Sequence, residues 1–173
     1  MLFLTKPSVF YENSLLEYRE KFLQSGEDCD GSSNLLSFQT IKEWLSFLKN
    51  LEDESSCPPS LVPSFQYILS DENINIYGMI NLRLQLNNYL FNFGGQIGYS
   101  IRPDSRQKGF GKLQLHLLLP ICESVGLKRV LLTCDDDNTA SQKIIEANGG
   151  IYEDSRVEPL TKMTIRRYWI YFD

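Results

Sequence analysis

A pattern of strand, glycine loop, helix and strand runs through the middle of the chain. The alternating stretch QIGYSIR is followed by RQKGFGK and then by the apolar run LQLHLLLPIC, which predicts a helix over roughly residues 109–125. The next segment, RVLLTC, is almost continuously apolar, as in strands that are covered on both faces. A helix of this length makes a right-handed crossover between two parallel strands. The chain must therefore build a sheet with helices packed on it.

The segments on either side extend this unit to an α/β fold. Two helices come early, each opened by a capping box, Ser14 with Glu17 and Thr40 with Glu43, and a short helix with Asn138 as its N-cap comes late. Further strands are predicted in LFLT, SFQYILS, NINIYGMINLRLQL, GIYEDSRV and KMTIRRYWIYF. The element order is β-α-α-β-β-β-α-β-α-β-β, a mixed central sheet of about seven strands with four helices.

One of these strands carries a glycine and an arginine among apolar residues. Alternation along NINIYGMINLRLQL predicts a common face for Ile74, Ile76, Gly78, Ile80, Leu82 and Leu84. A glycine inside a strand indicates a bulge or the close approach of another group. Arg83 lies either in a cleft or at an edge of the sheet, and the sequence leaves both alternatives open.

Size and composition limit the class of protein. The 173 residues fit one compact domain, residues 1–173, without an apolar run that could cross a membrane or a signal peptide at MLFLTKPS. The net charge of −5, spread over scattered acidic residues, disfavours binding of nucleic acid. Four cysteines without a CxxC pair predict reduced thiols in a cytoplasmic protein, and a single histidine predicts no metal site. His116 is expected to face solvent and Cys134 to pack in the core.

The glycine loop RQKGFGK predicts an anion site. A helix begins there, and its first N–H groups have no partner within the helix. Gly109 and Gly111 let a ligand approach these amides, while Arg106, Lys108 and Lys112 add positive charge. The loop lacks the Walker pattern, and Gln114 replaces the third glycine of the dinucleotide fingerprint. What remains is an RxxGxG pattern suited to a phosphate or pyrophosphate group.

The stretch IGYSIRPDSRQKGFGK resembles the acetyl-CoA signature of the GNAT N-acetyltransferase superfamily, in which a strand and a proline precede [R/Q]xxGx[G/A] at a helix start. The strand VLLTC, the segment DNTAS and the helix that ends at ANGG resemble the next block of that family. GYSIRP, VLLTCD, NGG and RRYWI look especially like a bacterial branch of uncharacterised predicted acetyltransferases. The resemblance extends from residue 2 to 172, and it implies the GNAT fold.

The resemblance also implies a cofactor site for acetyl-CoA, which acts as co-substrate. The diphosphate would rest on the glycine loop, that is on Arg106, Gln107, Lys108, Gly109, Phe110, Gly111 and Lys112. The pantetheine arm would pair with the strand backbone at Ile101 and Arg102, and an amide near Ile101 would act as oxyanion donor. Asn138 matches the family asparagine that meets the pantetheine, and Ser141 lies one turn further along the same helix.

The implied reaction is direct acetyl transfer to a primary amine, which must first lose a proton. Candidate bases are Tyr99, Asp135 and Asp136, although Tyr99 fits simple packing and the aspartates fit a solvated loop. Ile145 stands where many family members carry a tyrosine that protonates the leaving thiolate. That departure leaves a non-catalytic acyl-CoA sensor as an alternative, and a nucleotide-binding module is a second one.

The acceptor amine is not identified by any motif. The acidic loop GEDCDGSSN predicts a wall of the acceptor pocket, and its Glu27, Asp28 and Asp30 favour a cationic acceptor. The partners expected are therefore acetyl-CoA and an amine, with neither nucleic acid nor membrane. A homodimer through the final aromatic strand is a further alternative.

Overall fold

The computed structural model describes residues 1–172, which form one seven-stranded sheet and four α-helices. The strands are β1 Leu2–Thr5, β2 Ser64–Asp71, β3 Ile76–Arg83, β4 Ile97–Ile101, β5 Arg129–Asp135, β6 Ile151–Val157 and β7 Thr164–Tyr171. The helices are α1 Glu12–Ser25, α2 Ile41–Leu51, α3 Phe110–Ser124 and α4 Thr139–Glu146. The predicted element order and the mixed α/β class are confirmed.

The sheet order is β1-β2-β3-β4-β5-β7-β6. β4 and β5 run parallel, joined by the α3 crossover, and every other neighbouring pair in the described part of the chain is antiparallel. β7 pairs with β5 on one side and with β6 on the other. The final aromatic strand therefore has no free edge, and the expectation that it pairs with a second copy is wrong, because its backbone groups are already used.

The helix boundaries follow local capping chemistry in all but one case. Thr40 caps α2 in the predicted box, with Glu43 bonded back to the Thr40 N–H, and α1 ends at Gly26, whose φ of +68° suits glycine. The box predicted at Ser14 is wrong. A 3₁₀ turn at Val9–Tyr11 leads directly into α1, so that Ser14 lies inside the first helical turn.

Two hydrophobic layers cover the sheet. α1 and α2 cover one face, with Trp44, Tyr18 and Phe22 fully or almost fully buried, and α3 and α4 cover the other. A bulge between the β2–β3 register pairs Leu69–Gly78 and Ser70–Ile76 shifts the alternation. Ile76 consequently packs under α1 and α2, and the predicted common face for it and Ile80 is wrong.

Gly78 lies at this bulge, and it is also confirmed as a point where another group approaches the strand closely. A Cβ there would lie 2.2 Å from Gln114 Oε1, since α3 packs directly on the strand at this position. The contact holds α3 close to β3 and so fixes where the helix begins relative to the sheet.

The sheet opens between its two central strands. β4 and β5 form a single register pair, Ile97 with Leu132, and then diverge toward their carboxyl ends. The Arg102 N–H donates to the Tyr77 carbonyl of β3, and backbone groups alternate along a strand. The N–H and C=O of Ile101 therefore point away from β3, into the gap beside β5.

Candidate functional site

A single cleft of about 990 Å³ crosses the gap between β4 and β5. One end is the start of α3, and the other is formed by the loop after α1 and by the turn that precedes β4. Eleven of the predicted site residues line it: Tyr99, Ile101, Arg106, Gln107, Gly109, Phe110, Gly111, Lys112, Asp135, Asn138 and Ser141. A tertiary arrangement thus unites residues from β4, β5, α3 and α4.

The start of α3 presents bare amides to this cleft. The first backbone bond of the helix runs from the Leu113 N–H to the Gly109 carbonyl, and no side chain caps the helix. The N–H groups of Phe110, Gly111 and Lys112 are therefore without intrahelical partners. Gly109 has a φ of +80°, and the space beside its Cα is open, so that a ligand can reach the amides.

Cationic side chains surround these amides. Arg106 and Lys112 line the cleft beside Lys143 of α4. Lys143 lies outside the glycine loop, so the loop pattern does not predict it. Arg106 also donates to both carboxylate oxygens of Glu27, at 3.1 and 2.5 Å, and to the Ile101 carbonyl at 3.3 Å. One guanidinium thus touches the glycine loop, the edge of β4 and the acidic loop.

The start of α4 and strand β4 each place one hydroxyl group in the gap. Asn138 Oδ1 accepts from the Ser141 N–H at 3.0 Å, which confirms Asn138 as the N-cap. The Ser141 and Tyr99 hydroxyls lie 2.6 Å apart. Burial raises the pKa of Tyr99, so the phenol is protonated at neutral pH and can donate a hydrogen bond.

Three other residues from the sequence analysis differ in their surroundings. Ile145 of α4, which the resemblance matches to a family tyrosine, is fully buried in the core between the sheet and the helices α3 and α4. Cys134 lines the cleft, but burial raises its pKa to about 11, so its sulfur stays a protonated thiol. His116 is exposed, as expected.

Three predicted site residues lie outside the cleft. Arg102 pairs with Glu17 and Asp104 on the outer side of β4. The Lys108 ammonium donates to the Asp104 carbonyl. Asp136 is exposed and pairs with Arg166. The glycine loop thus turns only part of its charge toward the cleft.

Carboxylates gather at the opposite end. Gly31 lies directly on β4, where a Cβ would be 2.2 Å from the Gly98 carbonyl, and this contact brings Asp28 and Asp30 into the cleft. Burial raises the pKa of Asp30, and the negative charges of Asp28 and Asp135 raise it further. Burial likewise raises the pKa of Asp135, with a smaller contribution from Asp137.

The same end has an arginine and two aromatic side chains. Arg83 is half-buried and lines the cleft, which decides between the two alternatives left open for it. Tyr89 and Phe93 line the cleft as well, with ring centroids 5.7 Å apart. They lie in the segment NNYLFNFGG, which has the pattern of an ordinary loop, so that only the tertiary structure brings them to the site.

Residues 1–172 contain no group of three or more histidine, cysteine, aspartate or glutamate side chains that could hold a metal ion. None of the helices in this range has both the length and the apolar character needed to span a membrane.

Solved structures share this fold at low sequence identity. An α-N-acetyltransferase of ribosomal protein L7/L12, RimL, solved with coenzyme A, superposes with a TM-score of 0.72 at 14% identity over 99% of this chain and 94% of that chain. The microcin C7 self-immunity acetyltransferase MccE, solved with acetyl-CoA and AMP, gives 0.70 at 15% identity over 99% and 92%. A spermidine N-acetyltransferase from Vibrio cholerae, solved as a dodecamer, gives 0.67 at 16% identity over 98% and 93%.

Sequence comparisons bear on the family directly. A comparison with curated proteins finds no match. Residues 34–151, which include β2 to β5, α3 and the whole glycine loop, match the family model of the acetyltransferase (GNAT) domain. Since that match covers more than half of the chain, and the fold agrees over nearly its whole length, the protein belongs to the GNAT acetyltransferase family.

Proposed function

We propose that residues 1–173 are a single GNAT domain that transfers the acetyl group of acetyl-CoA to a primary amine by direct attack in a ternary complex. One observation carries this proposal. A continuous cleft joins an amide-lined cationic end to a carboxylate-lined end through the gap between β4 and β5. Such a cleft can hold a diphosphate at one end, a thioester in the gap and an amine at the other.

The cofactor end binds through backbone groups and charge. The diphosphate accepts hydrogen bonds from the amides of Gln107 to Lys112, with Arg106 and Lys143 supplying positive charge. The pantetheine arm adds to the open edge of β4 at Ile101. In this arrangement the Ile101 amide also polarises the thioester carbonyl as an oxyanion donor.

The reaction needs a base for the amine and an acid for the thiolate. Asp135 lies in the cleft with a raised pKa and is our candidate base, since a carboxylate with a pKa nearer to neutrality accepts a proton more effectively. The amine lone pair attacks the thioester carbon, and the C–S bond then breaks. The nitrogen then gives up its second proton, and the Tyr99–Ser141 hydroxyl pair relays a proton to the departing sulfur, so that both hydroxyls end protonated and the pair takes the place of the tyrosine that Ile145 replaces.

The acceptor is a cationic amine. Asp28 and Asp30 give the acceptor end of the cleft negative charge and attract an ammonium group before Asp135 takes its proton. Two of the structurally similar proteins are named for their amine acceptors. One is a spermidine N-acetyltransferase, and the other acetylates a protein α-amino group. Either kind of acceptor is compatible with this charge.

The proposal also covers the compartment, the partners and the oligomeric state of the protein. All four cysteines are free thiols, which supports a reducing compartment such as the cytoplasm. The partners are acetyl-CoA and the amine, without nucleic acid or membrane. A homodimer through the β7–β6 end of the sheet would use the edge of β6, because β7 is paired on both sides. An acyl-CoA sensor is the second candidate, which the buried Ile145 favours.

Release of free thiol from acetyl-CoA, measured across a panel of diamines, arylalkylamines, amino sugars and amino acids, tests the proposal. Adjacent aspartates provide the matched pair. Asp135→Asn is expected to lower kcat about 100-fold, as for loss of a general base, whereas Asp136→Asn retains activity. Calorimetry that registers acetyl-CoA binding without thiol release for any amine would favour the sensor instead.

A further inference from the structure

Three arginines from three different strands hold one short turn, residues 87–95, which we call the 87–95 turn. Arg83 of β3 donates to the Gly94 carbonyl at 2.9 Å and to the Gly95 carbonyl at 3.0 Å. Arg167 of β7 donates to the Phe91 carbonyl at 3.1 Å, and Arg156 of β6 donates to the side chain of Asn92. The turn has hydrogen bonds of its own, such as that from the Leu90 N–H to Asn87 Oδ1 at 2.9 Å, and the three arginines tie it to the sheet.

Arg167 is the most deeply buried of the three arginines. Its side chain is 0% exposed, and it is paired with Glu153 and with Asp154. One of its nitrogens, Nη2, has no hydrogen-bond partner. Burying a guanidinium with an unsatisfied N–H destabilises a fold. This buried guanidinium contacts both β6 and the 87–95 turn.

The two sides of the turn face different surroundings. Phe91 meets the arginines, with the guanidinium carbons of Arg156 and Arg167 at 5.5 and 4.9 Å from its ring centroid. Tyr89 and Phe93 contact each other and line the cleft at the end where Asp28 and Asp30 also lie. The arginines thus hold a pair of aromatic rings at a fixed place in the cleft.

We propose that the 87–95 turn is the specificity wall of the acceptor site, with Tyr89 and Phe93 in contact with the apolar stem of the amine. The acceptor class is then a primary amine on an alkyl or aryl chain, because aromatic rings bind methylene and aryl groups and also attract a cation. Amino sugars and short hydroxylated amines do not fit such a wall. This inference rests on the proposed acetyl transfer and narrows its acceptor.

Steady-state kinetics on the full chain test whether the 87–95 turn contacts the acceptor amine. The acceptors are 1,5-diaminopentane, 2-phenylethylamine, ethanolamine and glucosamine, and the first two are expected to have the lower KM. Tyr89→Ala and Phe93→Ala are expected to raise the KM of the preferred amine about tenfold, with kcat and the acetyl-CoA KM nearly unchanged. Tyr171→Ala is the matched control, because Tyr171 is 54% exposed against 55% for Tyr89 and lies outside the cleft.

A second set of variants tests how the arginines hold the 87–95 turn. Arg156 acts here as a positioning residue. Arg156→Gln is expected to raise the acceptor KM about threefold at unchanged acetyl-CoA KM, and Arg156→Lys to restore part of it. A variant that merely destabilised the fold would lower the active fraction, and with it the apparent kcat, without moving either KM.

The outcomes separate this inference from the proposal beneath it. If the wild-type protein binds acetyl-CoA but releases no thiol with any amine, acetyl transfer fails and the wall fails with it. If it releases thiol while Tyr89→Ala and Phe93→Ala keep the wild-type acceptor KM, only the wall is overturned. A preference for glucosamine or ethanolamine over the apolar amines would overturn it as well.

Discussion

The two ends of the cleft are built in different ways. The proposed cofactor end comes mainly from one short stretch at the start of a helix, residues 106–107 and 109–112. The acceptor end comes from separate segments: the loop after α1, Arg83, the 87–95 turn and Asp135. A ligand common to a whole family can be held by a local motif. A ligand that differs between family members is met by side chains that only the tertiary structure brings together, and these can change independently.

The largest effect is expected where the acceptor end meets the sheet. Gly31→Ala would place a Cβ 2.2 Å from the Gly98 carbonyl, at a backbone φ of +66°. Backbone cannot yield as a side-chain end can, so we expect a loss of about 3 kcal/mol in the free energy of unfolding. Denaturant unfolding with fluorescence detection measures this loss.

Gly26→Ala is the control for that variant. Gly26 has a similar φ of +68°, but nothing lies within 4 Å of the added Cβ. Only conformational strain remains, which amounts to about 1 kcal/mol. Equal losses for Gly26→Ala and Gly31→Ala would mean that the acidic loop does not lie against β4.

At the cofactor end, the variant Gly109→Ala is expected to weaken acetyl-CoA binding about 30-fold. The residue has a φ of +80°, so a side chain is strained there, and a methyl group would stand beside the amides that hold the diphosphate. Isothermal titration calorimetry with acetyl-CoA measures the Kd. An unchanged Kd, with the fold intact by circular dichroism, would place the diphosphate elsewhere.

Asp30→Asn is expected to raise the acceptor KM about tenfold and to leave the acetyl-CoA KM unchanged. Because the pKa of Asp30 is raised, the wild-type carboxylate gains its proton at a higher pH than an ordinary aspartate does. The acceptor KM of the wild type should therefore rise on acidification through that range, and the variant should lose this part of the pH dependence. A pH profile of acceptor KM that is identical in the two proteins would contradict the assignment.

The smallest effect is expected at the link between the two ends. Glu27→Gln removes the carboxylate that binds Arg106, so the guanidinium is left with its full charge for the diphosphate. Both side chains are substantially exposed, and we expect acetyl-CoA binding to tighten only about threefold. Weaker binding would show that Glu27 instead orients Arg106, and titrations in low and high salt would reveal a screened ion pair.

The sequence predicted the fold because each element has its own local signal. Thr40 with Glu43 and Asn138 were found as helix starts, and their side chains make the predicted bonds. Prediction failed where a neighbouring element overrode such a signal. Ser14 has a capping pattern, but the preceding 3₁₀ turn starts the helix earlier, and the bulge at Gly78 reverses the facing of Ile76.

The site could be predicted only in part, for the same reason. Arg106 and Gly109 sit in a motif, whereas Tyr89, Phe93 and Lys143 carry no pattern that separates them from surface residues. The glycine at 31 looked like an ordinary loop residue, since its contact with Gly98 spans 67 positions of sequence, from 31 to 98. Long-range contacts of this kind have no local signature.

The single register pair between β4 and β5 divides the sheet into two blocks, strands β1 to β4 and strands β5 to β7, with a seam between them. A thioester carrier lying in that seam would bridge the blocks with its own hydrogen bonds. Coenzyme A would then act as a structural strut as well as a reactant, and saturating the protein with it should slow proteolysis on both sides of the seam at once.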